Sequence, residues 1–249
     1  VVTNTDPDAT TKEGRIANYS IGTGVASTTV NGGYIHNVYG GSNEKGNIRR
    51  EALLQIQQAG TCPLVTDEIY AGSKSALIDA ETNTVLDCVK EGGNMYGGSY
   101  NADILNDVHV RITNGKYGKV FGGNNKAGTI TGSITIDIEE NGCSPIEIDE
   151  LYAGGYLAPY SIYGYSATTR DAIDENGDVI WINPSDHSAG KIQQRIPYKK
   201  GDAGALATPS RDPQINIISA TKIGKIYGGG YQADLIGSPH INVNMTKGR

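Results

Sequence analysis

Residues 119–138, KVFGGNNKAGTITGSITIDI, decide the fold of this chain. The segment reads as a short strand that ends in Gly-Gly, then a turn, a short strand at 129–131 and an alternating strand at 133–138. Its apolar residues do not follow the 3.6-residue period of a helix. The segment therefore predicts a unit that contains only short strands and turns.

The first five residues of this unit belong to a motif that occurs six times, each copy centred on one aromatic residue. The aromatic residues, at position 0 of the motif, are Tyr39, Tyr70, Tyr96, Phe121, Tyr152 and Tyr227. Position −1 is always apolar, position −2 is always polar, position +1 is Gly or Ala, and position +2 is always Gly. Position +6 is Ala in five of the six copies. Such columns indicate an internal structural repeat.

The spacing of the aromatic residues favours a β-solenoid. They lie 31, 26, 25, 31 and 75 residues apart, and the last gap is about three ordinary periods. A unit of this length cannot bury its own apolar face, but coils stacked at about 4.8 Å bury it against each other. A propeller blade needs about 40 residues and four antiparallel strands, and a β-sandwich would make the repeat an accident. We therefore predict an all-β fold, a right-handed parallel β-helix (β-solenoid) with one long inserted excursion.

Two local features need separate interpretation. Residues 47–60, NIRREALLQIQQAG, are the one candidate for a helix, and a loop with one helical turn is the alternative. The Gly at position +2 is predicted at a corner, where the backbone needs either a positive φ or a close approach of the next coil.

The copies that contain VYGG, FGGNNKA and YGGGYQA resemble the repeats of adhesin-like cell-surface proteins from gut Bacteroidales, which are right-handed parallel β-helices. The resemblance covers residues of about 31–157 and 212–244. It implies export to a cell surface and a structural or adhesive role. It carries over no catalytic residue.

The long last gap contains an interruption of the repeat. We predict solenoid coils in residues 1–158, an inserted loop or hairpin excursion in 159–211, and continued coils in 212–249. The strands around Leu151 and Ile226 are therefore expected to lie in neighbouring or next-but-one coils. The excursion holds the aromatic candidates for a functional loop, which are Trp181, Tyr160 and Tyr163. A decorative loop or a lateral cap explains the same segment equally well.

The sequence DENGD at 174–178 carries oxygen ligands at alternate positions, as a calcium loop does. The Gly expected after the third acid is missing, and so is the closing Glu. A hairpin with an Asn176-Gly177 turn therefore explains the stretch better.

Composition limits the classes of partner. The net charge of −6 and the lack of a Lys/Arg run argue against nucleic acid, and no apolar stretch reaches the ~18 residues of a membrane span. We expect the chain to be a piece of a longer protein or a processed product. Tyr outnumbers Phe by 15 to 1, which predicts many rings at an edge or a surface, where their hydroxyls find partners.

Motifs for metal binding and catalysis are missing from the sequence. The four histidines, His36, His109, His187 and His240, have no zinc-ligand spacing, and no nucleophile elbow, P-loop or dinucleotide fingerprint is present. No acid or metal partner can be placed beside His109 with Arg111, or beside His240, for lyase chemistry. We expect no cofactor, no metal and no catalytic residue.

Two acidic pairs, Asp67-Glu68 and Asp149-Glu150, precede the motif. They are separated by three periods, or about 14 Å along the stack, whereas a glycosidase pair needs about 5–9 Å. Within each pair the two side chains are expected on opposite faces. A solvated ladder is therefore favoured over a catalytic pair.

The cysteines are predicted to lie in one column. Cys62 and Cys88 each precede their aromatic residue by eight positions, which places them in adjacent coils at about 4.8 Å. We favour stacked buried thiols over a disulfide, because parallel pairing aims the sulfur atoms poorly. Cys143 lies nine residues before its aromatic residue, so a bulge is expected there.

The six motif aromatics are the candidate ligand-binding residues. Because position −1 points inward, position 0 is expected on the outer wall, where the rings form an exposed ladder. Stacking stabilises the coils whether or not a ligand binds. The functional alternative is a strip that holds a glycan, flanked by Asn37, Glu68, Asn94 and Lys119.

These observations favour a non-enzymatic exported surface protein, an extracellular adhesion or scaffold module with glycan-binding capacity. The expected partners are a glycan, a host or neighbouring cell surface, and a second copy through the solenoid ends. The alternatives are a carbohydrate-active β-helix enzyme, either a polysaccharide lyase or a glycosidase, and a phage tail-spike segment.

Overall fold

The computed structural model describes residues 26–48, 51–171, 189–197 and 212–245. Within these residues the regular structure consists of β-strands, and no helix is long and apolar enough to cross a membrane. The strands are β1 (Ala26–Val30), β2 (Gly33–Tyr39), β3 (Ala52–Gln57), β4 (Leu64–Tyr70), β5 (Thr82–Asp87), β6 (Glu91–Tyr96), β7 (Val108–Ile112), β8 (Gly115–Phe121), β9 (Ile134–Glu139), β10 (Ile146–Tyr152), β11 (Tyr160–Ser161), β12 (Tyr163–Asp171), β13 (Lys191–Pro197), β14 (Gln214–Ser219), β15 (Lys222–Tyr227), β16 (Leu235–Ile236) and β17 (His240–Val243).

Two parallel sheets form the main faces of a β-solenoid of about six turns, which confirms the predicted architecture. The order of the seven-stranded sheet is β1-β3-β5-β7-β9-β14-β17, and that of the six-stranded sheet is β15-β10-β8-β6-β4-β2. A third, narrower face is built from single parallel bridges and from the β11-β16 pair. The bridges join Ile48, Ile78, Ile104 and Ile130 in successive coils.

Alternation along the strands fills the core. Residues at position −1 of the motif point inward as predicted, and the buried ones are Val38, Ile69, Met95, Val120 and Leu151. The helix candidate at 47–60 is wrong, because Ala52, Leu54 and Ile56 alternate inward along strand β3. The alternation of buried and exposed residues along this segment is typical of a strand, and it outweighs the weak helical pattern in the sequence.

The Gly at position +2 is explained by close approach. None of the six glycines has a positive φ. Each of the first five donates its N–H to the carbonyl of its equivalent in the next coil, at 3.1–3.2 Å. At Gly98, a Cβ would lie 2.8 Å from the backbone N of Asn124 and would also clash with the Asn124 side-chain oxygen. That oxygen accepts from the Ser99 N–H at 2.7 Å, so the corner has no room for a larger residue.

The described solenoid unit spans residues 26–163 and 212–245. Leu151 pairs directly with Ile226, which confirms that the strands on either side of the interruption are neighbours. Tyr160 was predicted in the excursion, but it lies in β11, pairs with Leu235 and is 3% exposed. Its hydroxyl donates to the Gly132 carbonyl, which accounts for a buried Tyr at this position. Tyr163 is half-buried and also belongs to the solenoid unit.

The second compact unit is described for residues 164–171 and 189–197. Within it, β12 and β13 form a separate two-stranded sheet, and Lys191 forms an ion pair with Asp171. Trp181, the Asn176-Gly177 turn and the DENGD stretch lie outside the described residues.

The predicted cysteine column is wrong. Cys88 forms a disulfide with Cys143 at a Cα–Cα distance of 5.5 Å, and Cys62 is an exposed free thiol. The two bonded residues lie on either side of the short β7–β8 corner, where the Asn114 side chain accepts from the Cys88 N–H. Counting back from the aromatic residue failed because the corners between the two main sheets differ in length.

Candidate functional site

The six motif aromatics form a continuous stack, which we call the inner aromatic column. Neighbouring ring centroids lie 4.7–5.2 Å apart, and the interplanar angles are 6–16°. The spacing follows the distance between parallel strands, since each ring is carried by one coil. The column is therefore a rigid feature of the solenoid.

The prediction that these rings are exposed is wrong. Tyr70, Tyr96, Phe121 and Tyr152 are 0–4% exposed, and they form a cluster separate from the main core. Tyr39 is half-buried, and Tyr227 in the last coil is 40% exposed. The rings do lie outside the main apolar core, as alternation requires. They are buried because the chain that follows the Gly-Gly corner folds back over them.

In the coils with an acidic residue at position −2, the hydroxyl of the inner-column tyrosine donates a hydrogen bond to that acid. The Tyr70 hydroxyl donates to Glu68 at 2.7 Å and accepts from the Asn125 amide at 2.8 Å. Tyr152 donates to Glu150 in the same way. The hydroxyls of these two buried tyrosines are therefore satisfied by protein groups.

Position +4 of the motif carries a second column, which we call the outer column. Its members are Asn43, Lys74, Tyr100, Asn125, Tyr156 and Tyr231. Their backbone N–H groups, from Lys74 onward, donate to position +3 of the preceding coil at 2.9–3.0 Å, so the column is in register. Each Tyr of this column lies edge-on to the inner ring of the preceding coil, at 5.5–5.8 Å. These tyrosines cover Tyr70, Phe121 and Tyr152 and contribute to the burial of those three rings.

A groove of about 390 Å³ opens where the outer column has no ring. Tyr100 and Tyr156 lie on its two sides, and Asn125 lies between them. Tyr96 and Phe121 of the inner column also line it, so some of the predicted ligand-binding rings do reach a cavity. This volume is within the usual range for small-ligand sites.

Polar side chains at position −2 form the other side of the groove, and they are Glu68, Asn94 and Lys119. Lys119 is paired with Glu150 at 3.0 Å, and Glu150 also holds Lys225 at 3.1 Å. The Tyr152 hydroxyl, followed by these two ammonium groups, lowers the pKa of Glu150 to about 2. Glu68 has no ion-pair partner among the described residues, and its one hydrogen bond there is accepted from Tyr70. The groove therefore contains one carboxylate that is not in an ion pair, and two lysine side chains, Lys119 and Lys126, also line it.

Two further polar groups at the groove lack partners within the described parts of the chain. The side-chain oxygen of Asn125 is buried and accepts no hydrogen bond. The hydroxyl of Tyr96 makes none either, since position −2 of its coil is Asn94, whose oxygen accepts from the Lys119 N–H. Burial, followed by the nearby Glu68 charge, raises the Tyr96 pKa. The hydroxyl therefore remains a neutral donor.

Sequence reasoning missed the outer column. Tyr100, Tyr156 and Tyr231 share the +4 offset, so the same column counting that found the motif could have found them. Conversely, four of the six predicted ligand-binding rings do not line the groove, namely Tyr39, Tyr70, Tyr152 and Tyr227, and Asn37 does not flank it. The predicted excursion residues Tyr160 and Tyr163 do not line it either.

The acidic pairs remain far apart in the fold. Glu68 on β4 and Glu150 on β10 are separated by β6 and β8, which corresponds to about 14 Å. Both members of each pair point away from the core, so the expected opposite orientation of Asp67 and Glu68 is wrong. The strand contains two successive outward residues before the motif. Across the described residues, no group of three or more His, Cys, Asp or Glu side chains is arranged to hold a metal ion.

Comparison with known proteins gives no match for this chain to a protein-family model, a curated protein or a solved structure.

Proposed function

We propose that the chain is a non-catalytic β-solenoid module of an exported surface protein and that it binds a glycan in the groove between Tyr100 and Tyr156. The observation that carries the proposal is the composition of the groove. Aromatic rings provide stacking surfaces, and the Asn125 side-chain oxygen and the Tyr96 hydroxyl beside them have no hydrogen-bond partner among the described residues. The Glu68 carboxylate also lines the groove and accepts one hydrogen bond there, from Tyr70. A sugar ring has apolar C–H faces and a polar rim of hydroxyls, so it complements both features at once.

The scaffold suits an adhesive role. Main-chain hydrogen bonds and stacked rings hold the groove walls in successive coils, which limits the entropy lost on binding. The resemblance of the repeats to adhesin-like surface proteins supports the surface location. The Cys88–Cys143 disulfide also supports it, since such bonds persist in oxidising compartments.

Binding is favoured over catalysis by the distribution of acids. Glu68 is the carboxylate that lines the groove, whereas Glu150 is held between two lysines about 14 Å away. Glycoside hydrolysis with a carboxylate pair needs a second acid within about 5–9 Å. This arrangement supports recognition of an intact glycan.

The test is affinity electrophoresis against soluble β-glucan, xylan, mannan and mucin glycans. The wild-type chain is expected to be retarded by at least one of them, and the double substitution Tyr100→Ala with Tyr156→Ala to remove the retardation. Tyr34→Ala is the control, because it removes an exposed ring that does not line the groove. Absence of binding to all four by the wild type, or full binding by the double variant, would contradict the proposal.

A further inference from the structure

In the outer column, the coils on both sides of Asn125 carry a tyrosine, and the space left between these two tyrosines can be measured. Tyr156 and Tyr231, which lie in adjacent coils, stack at 5.0 Å. Tyr100 and Tyr156 are two coils apart, so their separation along the stack is roughly 9.6 Å. One ring placed midway would therefore lie about 4.8 Å from each of them. The space between the two tyrosines has the thickness of one ring. The Lys126 side chain also lines this space, with its Nζ over the Tyr156 ring at 5.7 Å from the centroid.

The same position lacks a cover for the inner column. Tyr100 covers Tyr70, Tyr156 covers Phe121, and Tyr231 covers Tyr152. By the same offset, a ring at position 125 would cover Tyr96. Instead, the Asn125 side chain reaches past Tyr96 to the Tyr70 hydroxyl two coils back. The edge of Tyr96 is therefore left facing the groove.

Two polar groups at this position, the Asn125 side-chain oxygen and the Tyr96 hydroxyl, have no hydrogen-bond partner within the described residues. The Asn125 residue is 3% exposed, and its side-chain oxygen has no donor within the described residues. A buried acceptor without a donor is costly unless a ligand or water supplies one. The Tyr96 hydroxyl and the amide nitrogen of Asn94 add potential donors, and Glu68 adds an acceptor. A purely apolar ring in this position would leave these groups unsatisfied.

We propose that the gap at Asn125 is a subsite for a single pyranose ring of the glycan, held between Tyr100 and Tyr156 in the place of a missing tyrosine. The sugar faces stack on the two rings. The sugar hydroxyls donate to the Asn125 oxygen and Glu68, and they accept from Tyr96 and Asn94. This assignment rests on the proposed glycan-binding function and locates it in one coil.

The decisive variant is Asn125→Tyr, which fills the gap with the ring that the outer column lacks. Its matched control is Lys74→Tyr, which adds a ring to the same column two coils away, beyond the groove lining. Against the polysaccharide that the wild type binds best, Asn125→Tyr is expected to lose at least tenfold in affinity, and Lys74→Tyr to stay within about twofold. Asn125→Ala leaves the gap open and removes one polar group, so a loss of about fivefold is expected.

Thermal unfolding tests the geometry of the gap without a ligand. Both Asn125 variants lose the amide, but only Asn125→Tyr gains two stacked neighbours. Its Tm is therefore expected to exceed that of Asn125→Ala by about 2–4 °C or more. A Tm at or below that of Asn125→Ala would show that the gap does not fit a ring and would overturn the subsite.

The outcomes separate the two proposals. If the wild type binds a glycan and Asn125→Tyr binds it equally well, the subsite is wrong and the proposed function stands. If the wild type binds none of the polysaccharides, the proposed function fails, and the subsite fails with it. Selective loss of binding in Asn125→Tyr, with Lys74→Tyr unchanged, supports both.

Discussion

The inner aromatic column has a ring in each of its six coils, whereas the outer column has a ring in three of its six positions. Both columns are carried by the same repeat and are separated by four residues. They differ in burial, because the central inner rings are 0–4% exposed and the outer tyrosines are half-buried or exposed. The column that must fill space is complete, and the column at the surface varies.

This difference shows how a repeat acquires a site. A missing inner ring would leave a cavity between two stacked neighbours, which costs several kcal/mol. A missing outer ring leaves an opening to solvent, which costs far less. Recognition therefore arises most easily in the outer column, and the inner column keeps its walls in place.

The largest expected effect separates the columns directly. Tyr70→Ala should lower the free energy of unfolding by about 4 kcal/mol, because it removes a fully buried ring and leaves a cavity. Tyr100→Ala, which removes an edge-on outer ring, should cost about 1 kcal/mol. Urea unfolding of the two variants measures both values. Equal losses would show that the two columns do not differ in structural role.

The second effect concerns the corner that joins the columns. Gly98→Ala should cost about 3 kcal/mol, because its Cβ meets the backbone of Asn124 and displaces the oxygen that caps the Ser99 N–H. Gly229→Ala is the matched control at the same motif position in the last coil, where nothing lies within 4 Å of the added Cβ. It should be neutral, or stabilising by up to about 1 kcal/mol through the unfolded state. Unfolding midpoints in urea give both numbers, and a similar loss in the two variants would refute the close-approach explanation.

Column counting predicts those parts of the fold that depend on strand register. The inward residues at position −1, the stacking of the six rings and the pairing of Leu151 with Ile226 all follow from one period. Parallel in-register pairing makes each sequence column a spatial column. The architecture could therefore be predicted from the repeat alone.

The features that the repeat did not predict depend on the paths of the segments that connect the strands. Burial of the inner rings is caused by the segment after Gly-Gly, whose path over the strand is not encoded in strand alternation. The corners before the motif vary in length, so Cys88 meets Cys143 rather than Cys62. The groove at Asn125 arises because this one position between two outer tyrosines carries no ring. It can be located only after the outer tyrosines are known to cover the inner rings.

The smallest expected effect is a pH dependence of the free energy of unfolding, caused by Glu150 and its two lysine partners. The Tyr152 hydroxyl, then Lys119 and Lys225, hold the pKa of Glu150 at about 2, below its usual value of about 4.3. Since the folded pKa is the lower one, the carboxylate contributes stability that is complete above about pH 4.3 and is lost as the pH falls towards 2. Wild type should therefore be more stable than Glu150→Gln at pH 6, and the difference should shrink by pH 2.5.

Lys225→Gln, which removes one of the two ammonium partners, should show an intermediate difference. Because Lys225 is 61% exposed and salt screens such pairs, urea unfolding at low ionic strength is the sensitive measurement. If the difference in unfolding free energy between wild type and Glu150→Gln stays constant from pH 6 to pH 2.5, the ion pairs of Glu150 do not stabilise the stacked coils.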